Sequence, residues 1–204
     1  VSEADSAHLH AGIFAGEPRW LPKRRLLTLR IPLGVQSWLF DRDSLTRRVR
    51  DLCPGCFRVQ VLDEGLARPM FNERRLLSMA DHQLAVVRQV QLLCDDQPWV
   101  FARTVIPLPT LRGPGGRLAL LGDKPLGEML FANSTMRRFE VQVARILPVH
   151  RLFHAATFNL HSKPVEIWGR RSVFQLHGKP LLVSEVFLPR LLARGALPAG
   201  LHIC

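Results

Sequence analysis

The sequence predicts an α+β fold built on an antiparallel sheet, and three observations carry that expectation. Two pairs of strand-like segments are each joined by a tight turn. Helix-like segments stand between the pairs instead of following every strand, so the alternation that makes a doubly wound parallel sheet is missing. The 204 residues, 47% of them hydrophobic, suffice for one sizeable core but not comfortably for two.

Taken in order, the first element is a short amphipathic helix. Leu45, Val49 and Leu52 recur at helical spacing, and Ser44 is placed to cap the N-terminus just before Leu45. Residues 58–62 read as a strand. Residues 83–93 form a longer one, 94–98 are turn material, and 99–106 complete an antiparallel hairpin. A second hairpin comprises 172–176, a turn at 177–180, and 181–188. Between the hairpins, 125–131 and 135–145 read as helices, the first opened by Asp123 with Pro125 in its first turn. The chain contains no internal repeat and no low-complexity segment.

Strand parity singles out two charges, because alternate residues face the same side of a sheet. Arg88 shares its face with Leu84, Val86, Val90 and Leu92, whereas Gln89 and Gln91 point the other way. Glu185 shares its face with Leu181, Val183 and Phe187, on a strand that is apolar on both sides. Burying an ionised group costs several kcal/mol unless a partner meets it. Two readings stay open at this point. The charges pair with each other or with Arg103, or they line an enclosed pocket in which Arg88 grips an anion through its planar fork. The helix starts at Leu45 and Leu126 add unpaired backbone N–H groups that favour carboxylates, or they are ordinary capped termini.

A net charge of +11 with a pI near 11 admits nucleic-acid binding, contact with an anionic membrane, or an enzyme for anionic substrates. The absence of tyrosine and of clustered aromatics argues against base stacking, so no nucleic-acid partner is expected. The main basic stretch, 18–40, carries Arg19, Lys23, Arg24, Arg25 and Arg30 without an acidic residue. It reads as a solvated arm, with weak membrane-surface contact as the other reading. No apolar run approaches the length of a bilayer span, and the acidic N-terminus does not lead into a secretory h-region, so a cytoplasmic address is expected. The four cysteines are accordingly expected to be reduced, with Cys53-Pro54-Gly55-Cys56 a turn flanked by thiols. His150, His154 and His161 lie close in sequence but lack a nearby acidic or thiol ligand, so a surface loop is expected there and no metal site.

Several blocks then resemble one family. Ser37-Trp38-Leu39, Asp43-Ser44-Leu45-Thr46, Gln97-Pro98-Trp99 and Arg103-Thr104-Val105-Ile106-Pro107 occur in order, followed by Pro125-Leu126-Gly127 and Ser134-Thr135. Trp168-Gly169-Arg170-Arg171-Ser172 and a run from Gly178 to Pro189 complete the set, and together they are similar to the bacterial chorismate pyruvate-lyases. The resemblance implies a sheet of about six antiparallel strands with helical flaps over a buried ligand pocket, and no cofactor. It implies conversion of chorismate to 4-hydroxybenzoate and pyruvate, the first committed step of ubiquinone biosynthesis; apart from the resemblance, a monomer is expected. The family's ligand-contacting arginine and glutamate fall on Arg88 and Glu185, which the resemblance makes the catalytic pair. Two further contacts fall on Leu45, where the family often has methionine, and on Leu126. The lyase domain then spans 37–189 with an insertion near 146–166, preceded by a basic extension (1–36) and followed by a tail (190–204). The alternative is a non-catalytic domain of the same fold that senses a small acid. Such domains adjoin a helix-turn-helix, for which the N-terminal stretch is short and interrupted by proline.

Overall fold

The computed structural model describes residues 16–28 and 30–195. Its centre is an antiparallel sheet, covered on both faces. In chain order the strands are β1 (Leu21–Pro22), β2 (Phe57–Ala67), β3 (Ala85–Cys94), β4 (Gln97–Pro107), β5 (Arg137–Arg138), β6 (Gln142–Ile146), β7 (Ile167–Leu176) and β8 (Lys179–Phe187). They lie side by side as β1-β6-β7-β8-β4-β3-β2, with β5 also paired to β7. Six of these eight strands have five residues or more, which meets the expectation of about six, and the two-residue strands β1 and β5 only extend the edges. The helices are α1 (Leu33–Leu39), α2 (Leu45–Leu52), α3 (Phe71–Leu76), α4 (Leu126–Phe131), α5 (Arg151–Thr157) and α6 (Pro189–Gly195).

Both predicted hairpins form, each closed by a two-residue turn. Asp95 and Asp96 have φ of 47° and 61°, and His177 and Gly178 have 49° and 76°. Positive φ at both central positions is the turn geometry whose twist matches that of paired strands. Asp and Gly tolerate it because one bonds locally and the other has no Cβ. The strand register puts Arg88, Thr104 and Val183 in one row across β3, β4 and β8, and Val90, Ala102 and Glu185 in the next. On this face α1, α2 and α4 pack through Val35, Trp38, Leu45, Val49, Leu126 and Leu130. The opposite face carries Phe101 and Val186 against Leu152, Phe153 and Ala156 of α5.

Four expectations are corrected. Residues 135–145 do not form a helix; they supply β5 and β6, because pairing with β7 satisfies the backbone where the local pattern of apolar residues was ambiguous. The stretch 146–166 is not merely a surface loop, since α5 buries Leu152, Phe153, Ala156 and Thr157. His150 precedes that helix and accepts a hydrogen bond from the Leu147 N–H at Nδ1, 2.9 Å away. Helix α4 opens after Pro125, not from Asp123. Finally, the cysteines are not all reduced: Cys53 and Cys94 form a disulfide with Cα atoms 5.7 Å apart, while Cys56 is a free, exposed thiol. The bond joins the C-terminal end of α2 to the end of β3, a contact that lies 41 residues apart in sequence.

Candidate active site

The four residues singled out in the sequence converge. Leu45, Arg88, Leu126 and Glu185 all line one enclosed cavity of about 50 Å³ between the sheet and the helices α2 and α4. Its floor is apolar, with Val90, Leu92, Val100, Ala102 and Val183, and its polar side chains are Thr46, Arg88, Thr104 and Glu185. A space of this size admits a few water molecules.

Arg88 and Glu185 do not pair with each other, and neither pairs with Arg103. Arg88 is 2% exposed and donates from Nε to Glu64 Oε2 at 3.0 Å, and from Nη2 to the carbonyls of Gly122 and Lys124 at 2.6 and 3.4 Å. Glu64 reaches it because the β2–β3 register shifts between Val61 and Asp63, placing Leu62 as the extra residue of a bulge and turning Glu64 onto the face of Arg88. The Nη1 of Arg88 meets no protein acceptor among the described residues. Burial pulls this guanidinium below the ordinary arginine value, and Glu64 and Asp123 counter the effect. Arg103 lies on the other face, in a two-pronged contact with Glu73 at 2.8 and 3.1 Å.

Glu185 is held by Arg170, its direct neighbour on β7, through an Nε–Oε2 contact of 2.5 Å. Arg170 is 1% exposed and its Nη1 also donates to the carbonyls of Trp38 and Asp41 at 2.8 and 2.6 Å. One carboxylate oxygen of Glu185 is therefore committed, which orients the group. Sequence reasoning missed Arg170 and Glu64 as supports. The parity of β7 would have placed Arg170 beside Glu185 had the strand been started at Ile167 instead of Ser172.

The covering helices are positioned by their own chemistry. The Ser44 hydroxyl accepts from the Arg47 N–H at 3.4 Å, so the Leu45 and Thr46 N–H groups keep no protein acceptor among the described residues. Pro125 precedes α4 without a side-chain cap, which leaves the N–H groups of Leu126 and Gly127 in the same condition. The two helix starts touch. A Cβ at Gly127 would stand 3.2 Å from the Thr46 hydroxyl and 3.6 Å from that of Ser44, so only glycine allows this approach without a shift. An ion pair between Arg50 and Glu128 joins the helices on the outside. The segment leading into α2 is anchored as well, since Arg138 donates to the carbonyls of Asp41 and Arg42 at 3.4 and 3.2 Å and Arg48 to the Asp41 carboxylate at 2.8 Å. Burial alone would raise the Asp41 carboxyl, but the Asp43 N–H and Arg48 outweigh it and hold the group below its usual value. Among the described residues no three His, Cys, Asp or Glu side chains gather as a metal site.

The arrangement is a closed, mostly apolar chamber with a cation at one end, an oriented carboxylate one residue pair further along, and unpaired N–H groups on its lid. Such a chamber suits a small ring acid bearing a hydroxyl. In fold, the chain is similar to a GntR-family transcriptional regulator from Bacillus cereus (TM-score 0.50, 10% identity, covering 72% of this chain and 99% of that one). It is also similar to a Staphylococcus aureus gene product (TM-score 0.51, 14% identity, 74% and 91%). At such identities the likeness speaks for the fold alone. In sequence, it is 42% identical over 159 residues to the probable chorismate pyruvate-lyase of Methylococcus capsulatus, covering 78% of this chain and 97% of the relative. It is 40% identical over 192 residues to that of Thiobacillus denitrificans, covering 94% and 98%. The chorismate lyase family model matches residues 18–197, and on these grounds the chain belongs to the chorismate lyase family.

Proposed function

We propose that this protein is a chorismate pyruvate-lyase that splits chorismate into 4-hydroxybenzoate and pyruvate. The observation that carries the reading is the meeting of Arg88, Glu185, Leu45 and Leu126 around one enclosed chamber in a chain of this family. Chorismate carries a ring carboxylate, a ring hydroxyl at C4 and an enolpyruvyl ether at C3 with its own carboxylate. The reaction removes the hydrogen at C4 and breaks the C3–O bond. The C–H electron pair completes the aromatic ring, the ether oxygen leaves with its bonding pair, and the enolpyruvate formed takes up a proton to give pyruvate. Aromatisation drives the reaction, so the protein has mainly to hold a reactive geometry and exclude water.

In this reading Arg88 anchors the ring carboxylate through its uncommitted Nη1, and the backbone N–H groups of Leu45 and Leu126 serve the carboxylate and charge of the departing enolpyruvyl group. Glu185, oriented by Arg170, accepts a hydrogen bond from the C4 hydroxyl or takes the C4 proton. Leu45 acts through its backbone, so the exchange from methionine leaves this role intact. The lid formed by α2 and α4 opens to admit substrate and release product, with Arg50 and Glu128 as its outer clasp.

The test is to incubate purified protein with chorismate and follow 4-hydroxybenzoate by chromatography, with Arg88→Ala as the control. Formation of product by the wild type and a loss of at least about 100-fold in kcat/KM for the variant are expected, in line with removal of a charged anchor. Tight binding of 4-hydroxybenzoate without turnover would instead indicate a small-acid sensor. Separately, Glu185→Gln with normal turnover would restrict Glu185 to positioning.

A further inference from the structure

We infer that Thr104 is a further substrate-contacting residue, whose hydroxyl completes the carboxylate site begun by Arg88. The inference rests on the reading of the chamber as a site for chorismate and 4-hydroxybenzoate. Thr104 is 3% exposed and lines the chamber. Its hydroxyl has no hydrogen-bond partner in the protein among the described residues, unlike those of Thr110 and Thr157, which donate to the carbonyls of Pro180 and Phe153 at 2.7 and 2.8 Å. A valine would fill the same space on a strand without burying a hydroxyl, so packing alone gives no reason for threonine here.

Position supplies the reason. Thr104 is directly opposite Arg88 in the β3–β4 register. The guanidinium of Arg88 has already spent Nε on Glu64 and Nη2 on two carbonyls, so only Nη1 is left for a ligand. A carboxylate has two oxygens and lone pairs for about four donors, and the two hydrogens of one nitrogen, Nη1, cannot give it the fork-like contact that arginine usually provides through two nitrogens. The neighbouring hydroxyl on the same sheet face is the second donor. Thr46 also lines the chamber, but from the first turn of α2, beside Gly127, whereas Thr104 is the register partner of Arg88 on the sheet.

The geometry also orients the ligand. Glu185 stands in the next row, opposite Ala102, and rows on one face of a strand are separated by about 6.8 Å at roughly 3.4 Å per residue. This spacing matches a ring that carries its carboxylate and hydroxyl in para positions, the carboxylate toward Arg88 and Thr104 and the hydroxyl toward Glu185. Thr104 therefore selects for the carboxylate and has no part in bond breaking.

The experiment compares wild type, Thr104→Val and Thr104→Ser by chorismate kinetics, thermal unfolding, and calorimetric titration with 4-hydroxybenzoate and with its neutral amide. Thr104→Val should raise KM for chorismate and weaken 4-hydroxybenzoate binding about tenfold or more, the share of a hydrogen bond to a charged group. The variant should leave kcat within about twofold, because binding of the carboxylate is the same in ground and transition states, and should cost the amide clearly less than the acid, because a hydrogen bond to a neutral carbonyl is weaker than one to a charged group. Its melting temperature should not fall, and Thr104→Ser should behave as wild type. Unchanged 4-hydroxybenzoate affinity in Thr104→Val overturns the inference, and so does an equal loss for acid and amide, which would mark a packing role. A wild type that neither converts chorismate nor binds 4-hydroxybenzoate overturns the functional reading and this inference with it. Those two failures are thus told apart by the wild-type arm alone.

Discussion

Reduction of the Cys53–Cys94 bond tests how far this fold depends on a covalent tie. The bond closes a loop of 41 residues, and confining such a loop in the unfolded chain removes entropy worth about 4 kcal/mol at 25 °C. For a chain of this size each kcal/mol moves the melting temperature by roughly 2–4 °C, so a strong reductant should lower it by roughly 8–16 °C. The assay is thermal unfolding with and without reductant, beside a thiol count on protein denatured without reductant. Cys56 should react in that count, and Cys53 and Cys94 should not. Cys56→Ser, which removes the exposed free thiol, should leave the reductant-induced drop unchanged. Cys53→Ala should abolish it, with a melting temperature near that of reduced wild type. Four reactive thiols, or a melting temperature indifferent to reductant, would refute the reasoning.

Three other perturbations probe the supports of the chamber and the edge of the fold. In Gly169→Ala the new Cβ would stand 2.9 Å from the Glu185 carbonyl oxygen and 3.1 Å from Ile146 Cδ1. Backbone cannot yield cheaply there, and urea unfolding should show a loss of about 1–3 kcal/mol. Arg170→Met leaves the Glu185 carboxylate without its ion partner and should destabilise by roughly 3 kcal/mol. Part of this should return in the double variant with Glu185→Gln, measured as a double-mutant cycle. Burial holds the His150 imidazole below its usual value of 6.5. The unfolded chain therefore binds the proton more readily, and the contribution is intact above about pH 6.5 and lost as pH falls through and below it. Protonation at Nδ1 would also remove the acceptor of the Leu147 N–H. Melting temperatures from pH 7.5 to 5 should decline less steeply for His150→Gln than for wild type, and parallel curves would reject the assignment.

Much of the candidate site was readable because its logic is local. Period-two alternation put Arg88 and Glu185 on apolar faces, and the structure puts both on the same chamber wall. Ser44 marked the start of α2, and the turn residues at 95–96 and 177–178 marked both hairpins. The partners of the charges were not readable. Glu64 turns toward Arg88 only because a bulge at Leu62 shifts its parity, and nothing in the run of residues 57–67 announces that extra residue. Arg170 was hidden by a strand start placed five residues late.

Residue order along each segment thus determines which side of an element a group occupies, because backbone geometry repeats every two or 3.6 residues whatever surrounds it. It was enough to bring out the antiparallel α+β design, the capped helix over the sheet and the two charges that needed company. Only the folded chain decides what that company is. The strands β5 and β6 take their structure from pairing with β7, Cys53 meets Cys94 across 41 residues, and Thr104 acquires its significance from the arginine beside it on another strand. These are contacts between distant segments, and their energy is available only once the sheet has brought the segments together.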